Sequence, residues 1–308
     1  MFTGSAISLS TLVEPDRGVR LVRDCMLCHV AKIPSKVSRR VVPCNRASQL
    51  QNAAQESEVV GVIVPPDLED QVPTDLGLLL AINPLKEALF LHEKLCNTPN
   101  FHWQDFPSEI DLSAKIDASA CVAEKNVKIG KNTIVHPGAV VLPRSIIGCD
   151  CSIGPSTVVG TDAFEVNSFQ SPRTIVTQAG GVQIEDNVDI QAKCTIVRAT
   201  FGGFTRIRRE SKLDCQIHVA HDCDIGERVR IAACAELSGR VNIGNDAFVG
   251  PNASISNGIT VGPKAHITIG AVVIRDVQEG ERVSGNFAMD HMALIRHIKE
   301  ISSNRTNK

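Results

Sequence analysis

The sequence predicts a mainly β protein: a left-handed parallel β-helix, preceded by a small α/β domain and followed by a short C-terminal helix. Three observations predict it. From Ile207 through Val273 every sixth residue is aliphatic, twelve in succession without an exception. A glycine directly follows that residue at Gly226, Gly244, Gly250 and Gly262, and a small or β-branched residue stands four positions after it, as at Val229, Ala235, Val241 and Ala247. Aromatic residues make up only 4% of the chain, with one Trp and no Tyr, which suits a narrow interior filled by small aliphatic side chains.

A period of six matches neither a helix face nor an alternating strand. It matches short strands joined by tight turns, three to a coil, so that a coil takes 18 residues and residues 18 apart stack at the strand spacing of about 4.8 Å. Coils of this kind wind left-handed, an exception to the usual crossover rule. The glycines are expected at turn positions with positive φ. The same rhythm occupies Ile129 to Val159 and reappears at Ile184, Ile190 and Ile196.

Residues 1–107 lack the period. There 58–65 (EVVGVIVP) and 76–83 (LGLLLAIN) read as buried strands and 84–95 (PLKEALFLHEKL) as a helix, a small α/β domain. The β-helix is expected over 108–288. Residues 161–183, rich in Gly, Ser and Gln, break its register and are expected as a loop ejected from the prism, where function tends to sit. A smaller break falls at 199–206, and 289–301 (MDHMALIRHIKEI) reads as an amphipathic helix within a C-terminal segment, 289–308.

Composition excludes several classes. With 43% hydrophobic residues and a net charge of -2, the chain is expected to be globular and soluble. It has no polybasic stretch or acidic tail, so neither nucleic acid nor a membrane surface is an expected partner. No apolar run reaches the ~20 residues of a membrane span, and 1–18 lacks the basic start and apolar core of a signal peptide. A cytoplasmic location is expected, with the eleven cysteines as free thiols. Cys121, Cys151 and Cys234 sit where the repeat favours small residues. Cys25, Cys28 and His29 have the spacing of a haem c attachment site, but no second C-x-x-C completes a zinc set. No metal ligands and no bound cofactor are expected.

A β-helix alone implies no activity. Chemistry is expected near turns, in clefts between three copies packed side by side. With Val219 pointing inward, His221 falls at the adjoining turn, and its imidazole suits removal of a proton from an attacking amine. Gly239 lies 18 residues on, one coil above, where its N–H could stabilise the oxyanion of a thioester adduct. Spacing alone does not separate this reading from His221 as a solvated turn residue. Arg206, Arg208 and Arg209 form either a contact for donor phosphates or a solvated basic turn.

The string 213–226 (LDCQIHVAHDCDIG) and the loop Gly160-Thr161-Asp162-Ala163-Phe164, with the segments at 194–196 and 283–285, resemble the UDP-3-O-acylglucosamine N-acyltransferase family of lipid A synthesis. The likeness runs from about 107 to 290 and more faintly through the N-terminal domain. It implies a homotrimer that moves an acyl group from the phosphopantetheine thioester of an acyl carrier protein to a sugar amine. It implies that His221 is general base and that Gly239 supplies the oxyanion N–H. Asp214, His218, Asp162 and Phe164 then line the substrate site, and Asn45 belongs to the N-terminal domain that holds the uracil. The chain departs from the family at Cys215 and His218, at Gly258 where a second histidine falls, and at Val42 and Ser48, where an aromatic pair clamps the base. The family's acyl-length determinant falls on Ile269–Ile274, where Gly270, Ala271 and Val272 are small.

Other readings stay open at this stage. One is a CoA-dependent N-acyltransferase acting on an amino- or diaminosugar nucleotide of surface-polysaccharide synthesis; another is a non-catalytic scaffold. A zinc-dependent carbonic anhydrase would need a third histidine near His218 and His221, and a nucleotidyltransferase would need a Gly-rich N-terminal loop.

Overall fold

A computed structural model of the chain describes residues 4–285, 288, 290–296 and 299. Strands of two to four residues stack into three parallel sheets, the faces of a left-handed β-helix. Face A has eight strands, from Cys121–Val122 to Val272–Val273; face B has eight, from Glu109–Ile110 to Thr260–Val261; face C has nine, from Lys115–Ile116 to Arg282–Val283. The chain runs C, A, B in each turn, as in Lys212–Leu213, His218–Val219 and Asp224–Ile225. His218 pairs with Glu236, and Asp224 with Asn242, each 18 residues on.

The hexad residues fold this way because they form one continuous core. All twelve, from Ile207 to Val273, are buried, and with the small residues between them they make one cluster from Val127 to Val277. Each buried Ile, Leu or Val contributes roughly 1.5–3 kcal/mol over leaving it exposed. Among the cysteines, all free, Cys151, Cys194 and Cys223 fill small interior positions. Cys121 and Cys234 face solvent, contrary to expectation.

The glycines serve another purpose than expected. Those at 226, 244, 250 and 262 do not have positive φ. A Cβ on Gly244 would lie 2.4 Å from Pro263 N, and one on Gly250 2.7 Å from Ile269 N. They are glycines because the next coil passes too close for any side chain. Positive φ falls on the second turn residue instead, among them Asn132, Asp150, Asn187, Asp222 and Asn252, types that tolerate it best.

Both register breaks leave the prism at the same corner. Val158 stacks under Thr195, 37 residues on, and Thr195 under His218, 23 residues on; thereafter the spacing is 18. The extra chain in each case lies between a face A strand and the next face B strand. The longer insertion carries an antiparallel hairpin, Val166–Asn167 with Thr174–Ile175.

The N-terminal segment forms a five-stranded sheet in the order Arg20–Arg23, Gly77–Leu80, Val59–Val64, Arg40–Pro43, His29–Val30, parallel except for the first strand. Helix α1 is Ala47–Ala54 and α2 is Pro84–Asn97. Asn83 starts α2 by accepting the Lys86 N–H at 3.0 Å, and Pro84 follows it, a cap worth about 1 kcal/mol. This domain packs on the A/B corner through Ala31, Val37, Leu89, Val176 and Phe201. Lys36 there pairs with Asp224 at 2.5 Å.

Residues 291–296 are helical. The rest of the helix expected over 289–301 falls on 289, 297, 298 and 300–301, which with the tail lie outside the described residues, apart from helical Lys299. No helix among the described residues is long and apolar enough to cross a membrane.

Candidate active site

The A/B corner presents a column of turns, one per coil: the two insertions, then His221-Asp222, Gly239-Arg240 and Asn257-Gly258. His221 Nδ1 lies 2.7 Å from Asp222 Oδ2. A carboxylate only accepts, so Nδ1 carries the proton and Nε2 keeps its lone pair. Asp222 is held in turn by its backbone N–H, which donates to buried Thr205 Oγ1 at 2.9 Å.

Nε2 points across the rung at Gly239. A Cβ added to Gly239 would lie 2.5 Å from His221 Nε2 and 2.9 Å from Asn257 Nδ2. The missing side chain therefore leaves a gap bounded by an imidazole below and a carboxamide above. The flanking N–H groups of Ser238 and Arg240 bond Ile255 O and His221 O. The Gly239 N–H donates to no backbone carbonyl among the described residues. Asp222 lies within the string 213–226 but takes no role from the sequence reading, and Asn257 takes none either, although His-Asp adjacency and the 18-residue step from Gly239 to Asn257 both signal them.

The long insertion folds back over this column. Glu165 pairs with Lys32 of the N-terminal domain and lies 3.5 Å from Arg240, beside Gly239. Arg240 reaches Asn257 Oδ1 at 3.4 Å. Asp162 pairs with Arg198 at 3.3 Å, and Arg198 also donates to Gly160 O at 2.7 Å. Phe164 stands 87% exposed between them in sequence.

Asn45 borders a cavity of about 280 Å³ with Lys32, Ile33, Pro43, Gln49 and Leu85. Val42 is buried in the domain core and Ser48 is exposed; neither lines the cavity, whose lining mixes polar and aliphatic side chains and holds no aromatic ring. Lys32 is common to this cavity and to the Glu165 ion pair. A second cavity, about 180 Å³, lies beside Asp222, with Lys36, Phe204, Arg206 and Asp224 around it. Burial alone would raise the Asp224 pKa; hydrogen bonds from Arg208 and Lys36 outweigh it and hold it at about 2. Arg208 (2.9 Å to Asp224) and Arg209 (3.0 Å to Glu227) are thus engaged within the chain, whereas Arg206 lines the cavity.

Two expected site residues lie elsewhere. His218 sits on face A between Thr195 and Glu236. Asp214 lies at the C/A corner, where its carboxylate takes the Cys215 N–H at 2.7 Å. One chain does not bring Asp214 to His221. Cys25, of the C-x-x-C-H spacing, has its Sγ turned toward Gly61 and Gly77 under the N-terminal sheet.

The family described as "Bacterial transferase hexapeptide (six repeats)" matches residues 120–162. A UDP-3-O-acylglucosamine N-acyltransferase of Maricaulis maris is 43% identical over 93 residues, 30% of this chain and 27% of that one. UDP-3-O-acylglucosamine N-acyltransferase 2 of Sulfurimonas denitrificans is 49% identical over 69 residues, 22% of each chain. The solved UDP-N-acetylglucosamine acyltransferase from Campylobacter jejuni superposes with a TM-score of 0.50 at 26% identity, covering 58% of this chain and 70% of that one. The matches span about a quarter of the length of these curated relatives. The chain is a hexapeptide-repeat β-helix protein, similar over part of its length to enzymes named UDP-3-O-acylglucosamine N-acyltransferase.

Proposed function

We propose that the protein is an N-acyltransferase, moving an acyl group from the phosphopantetheine thioester of an acyl carrier protein to the amine of a UDP-glucosamine-type nucleotide sugar. The observation that carries this reading is the approach of His221 Nε2 to the bare face of Gly239. Nε2 takes a proton from the amine as its nitrogen attacks the thioester carbon. The oxyanion so formed accepts the unengaged Gly239 N–H. Collapse breaks the C–S bond, and the leaving sulfur takes the proton back from the imidazolium. Asp222 keeps the imidazole in the productive tautomer throughout. The Asn45 cavity would hold the nucleotide, and the Lys32–Glu165–Arg240 chain links it to the reacting corner.

Asp214 and His221 occupy different corners, so a site using both needs two copies of the chain. A homotrimer with clefts at its seams meets that need.

The test supplies acyl-carrier protein and acyl-CoA separately with UDP- and dTDP-aminosugars and analyses the product. An alkali-stable amide supports the proposal; an ester, or no transfer from either donor, refutes it. His221→Ala should lower kcat by about 10²–10⁴-fold with the assembly intact. Mixing inactive His221→Ala and Asp214→Ala chains should restore part of the activity if the sites are shared.

A further inference from the structure

Outside this column, three metal-ligating side chains converge where α2 ends. His92 and Cys96 are four residues apart on α2 and share a face. His102 returns to them beyond Asn97, the last helical residue. One nitrogen of each imidazole and the Cys96 Sγ all lie within 4.8 Å of one another. Cys96 Sγ also lies 3.5 Å from His92 Nε2, the other nitrogen of that ring.

The hydrogen bonding leaves nitrogens waiting. His92 is fully buried; its Nε2 meets the Thr177 carbonyl at 2.8 Å, so Nε2 carries the proton and Nδ1 is a bare lone pair without a partner. His102, 6% exposed, has a partnerless Nε2. Edge contacts to Phe201 (4.8 Å) and Phe101 (4.9 Å) explain how the rings pack. They do not explain two unsatisfied buried nitrogens, each of which costs about 1–3 kcal/mol. A cavity of about 220 Å³, lined by Cys96, His102, Asp105, Arg144 and Gln178, opens beside the cluster.

We propose that His92, Cys96 and His102 bind one Zn²⁺ ion per chain, with water from the adjoining cavity as fourth ligand. A Zn–S bond replaces the Cys96 S–H bond and the proton leaves to solvent, with no change of oxidation state. The bond from His92 to Thr177 orients the first ligand as an outer-shell partner does. The ion would fasten the end of α2 and the 98–102 connector beneath the insertion that carries Thr177, independently of acyl transfer.

The full chain, stripped with a chelator and dialysed, is titrated with Zn²⁺ and with Co²⁺. One equivalent of Zn²⁺ should bind per chain, and Co²⁺ should give intense four-coordinate visible bands with a thiolate charge-transfer band in the near ultraviolet. Cys96→Ser should lose the charge-transfer band, and His102→Asn should weaken Zn²⁺ binding by more than the roughly 10–100-fold that losing an outer-shell partner costs. Cys215→Ser should change neither. In the unmutated chain, Zn²⁺ should protect Cys96 from alkylation, read by peptide mass spectrometry, which needs no variant to fold. Alkylation of Cys96 unaffected by Zn²⁺, or a cobalt spectrum unaltered in Cys96→Ser, overturns the proposal.

Discussion

Substituting Ala for Gly239 isolates the imidazole's position from everything else at the corner. The φ of Gly239 is not positive, so the backbone accepts an L residue, and the N–H assigned to the oxyanion is kept. What changes is space: the new Cβ would sit 2.5 Å from His221 Nε2, whereas ordinary contact begins near 3.4 Å. The ring, as the end of a flexible side chain, gives way by some 0.9 Å and swings off its Asp222 bond. A displacement of about 1 Å costs a positioned catalytic group about 10²-fold in rate, or about 2.7 kcal/mol of barrier. Stability should barely move, because Gly→Ala at a compatible φ gains about 0.4–1 kcal/mol through the unfolded chain, offsetting the ring's rotation. Steady-state transfer should show kcat down about 100-fold, with the denaturation midpoint close to that of the parent. In a His221→Ala background the same substitution should add little, since the two act through one group. A Gly239→Ala enzyme that turns over at the parent rate would refute the assigned base, and one as unstable as a coil-stacking glycine variant would make Gly239 merely structural.

The remaining expectations follow from neighbouring geometry. Asp222→Asn keeps a residue type that tolerates its φ of 60°, but its amide can also donate to Nδ1 and so free the wrong tautomer; kcat should fall about 10²-fold or more with unchanged melting. Gly244→Ala drives a Cβ to 2.4 Å from Pro263 N and should cost about 1–3 kcal/mol in denaturant titrations. For Asp224, the folded pKa of about 2 lies below the ordinary carboxyl value of 3.8, so its contribution is present above the unfolded value and lost as pH falls through about 2. At about 1.36 kcal/mol per unit this is about 2 kcal/mol, carried chiefly by Arg208, because Lys36 is 60% exposed and screened by solvent. Asp224→Asn should therefore be about 2 kcal/mol less stable near neutrality, with the gap closing toward pH 2.

The β-helix was legible because its determinant is local. An inward aliphatic residue every six positions is dictated by side-chain direction, and the same count places His221, Gly239 and Asn257 in one column. The N-terminal strands and α2 were legible for the same reason, as buried runs ending at a cap. What was misread depends on approach across coils. Gly226 and Gly244 look like turn glycines in sequence, yet the backbone of the next coil requires them, and sequence alone shows no neighbour one rung up. Asp214 is seven residues from His221 but a full face away, because each six-residue step turns the chain through a corner. The His92–Cys96–His102 cluster escaped because its pattern starts on a helix and finishes beyond it, while its outer partner Thr177 is 85 residues distant.

The two insertions distinguish the corner proposed to be reactive from its neighbours. A bare solenoid corner exposes its turns to water, and an imidazole there loses most protons to solvent rather than to a substrate. Here both insertions emerge below His221, and the longer one is drawn back over the column by Glu165, tied to Lys32 and Arg240. The N-terminal domain closes the other side through Lys36 and Asp224. The rungs, fixed at about 4.8 Å by strand pairing, set the proposed base and the proposed oxyanion donor one coil apart without any adjustment of their own. The amine nitrogen and the oxyanion share one carbon in the tetrahedral adduct, so a base and a donor on adjacent rungs can engage both at once. In the proposed mechanism, rigid spacing comes from the repeat and a covering wall from its interruptions, both of which emerge directly beneath the histidine.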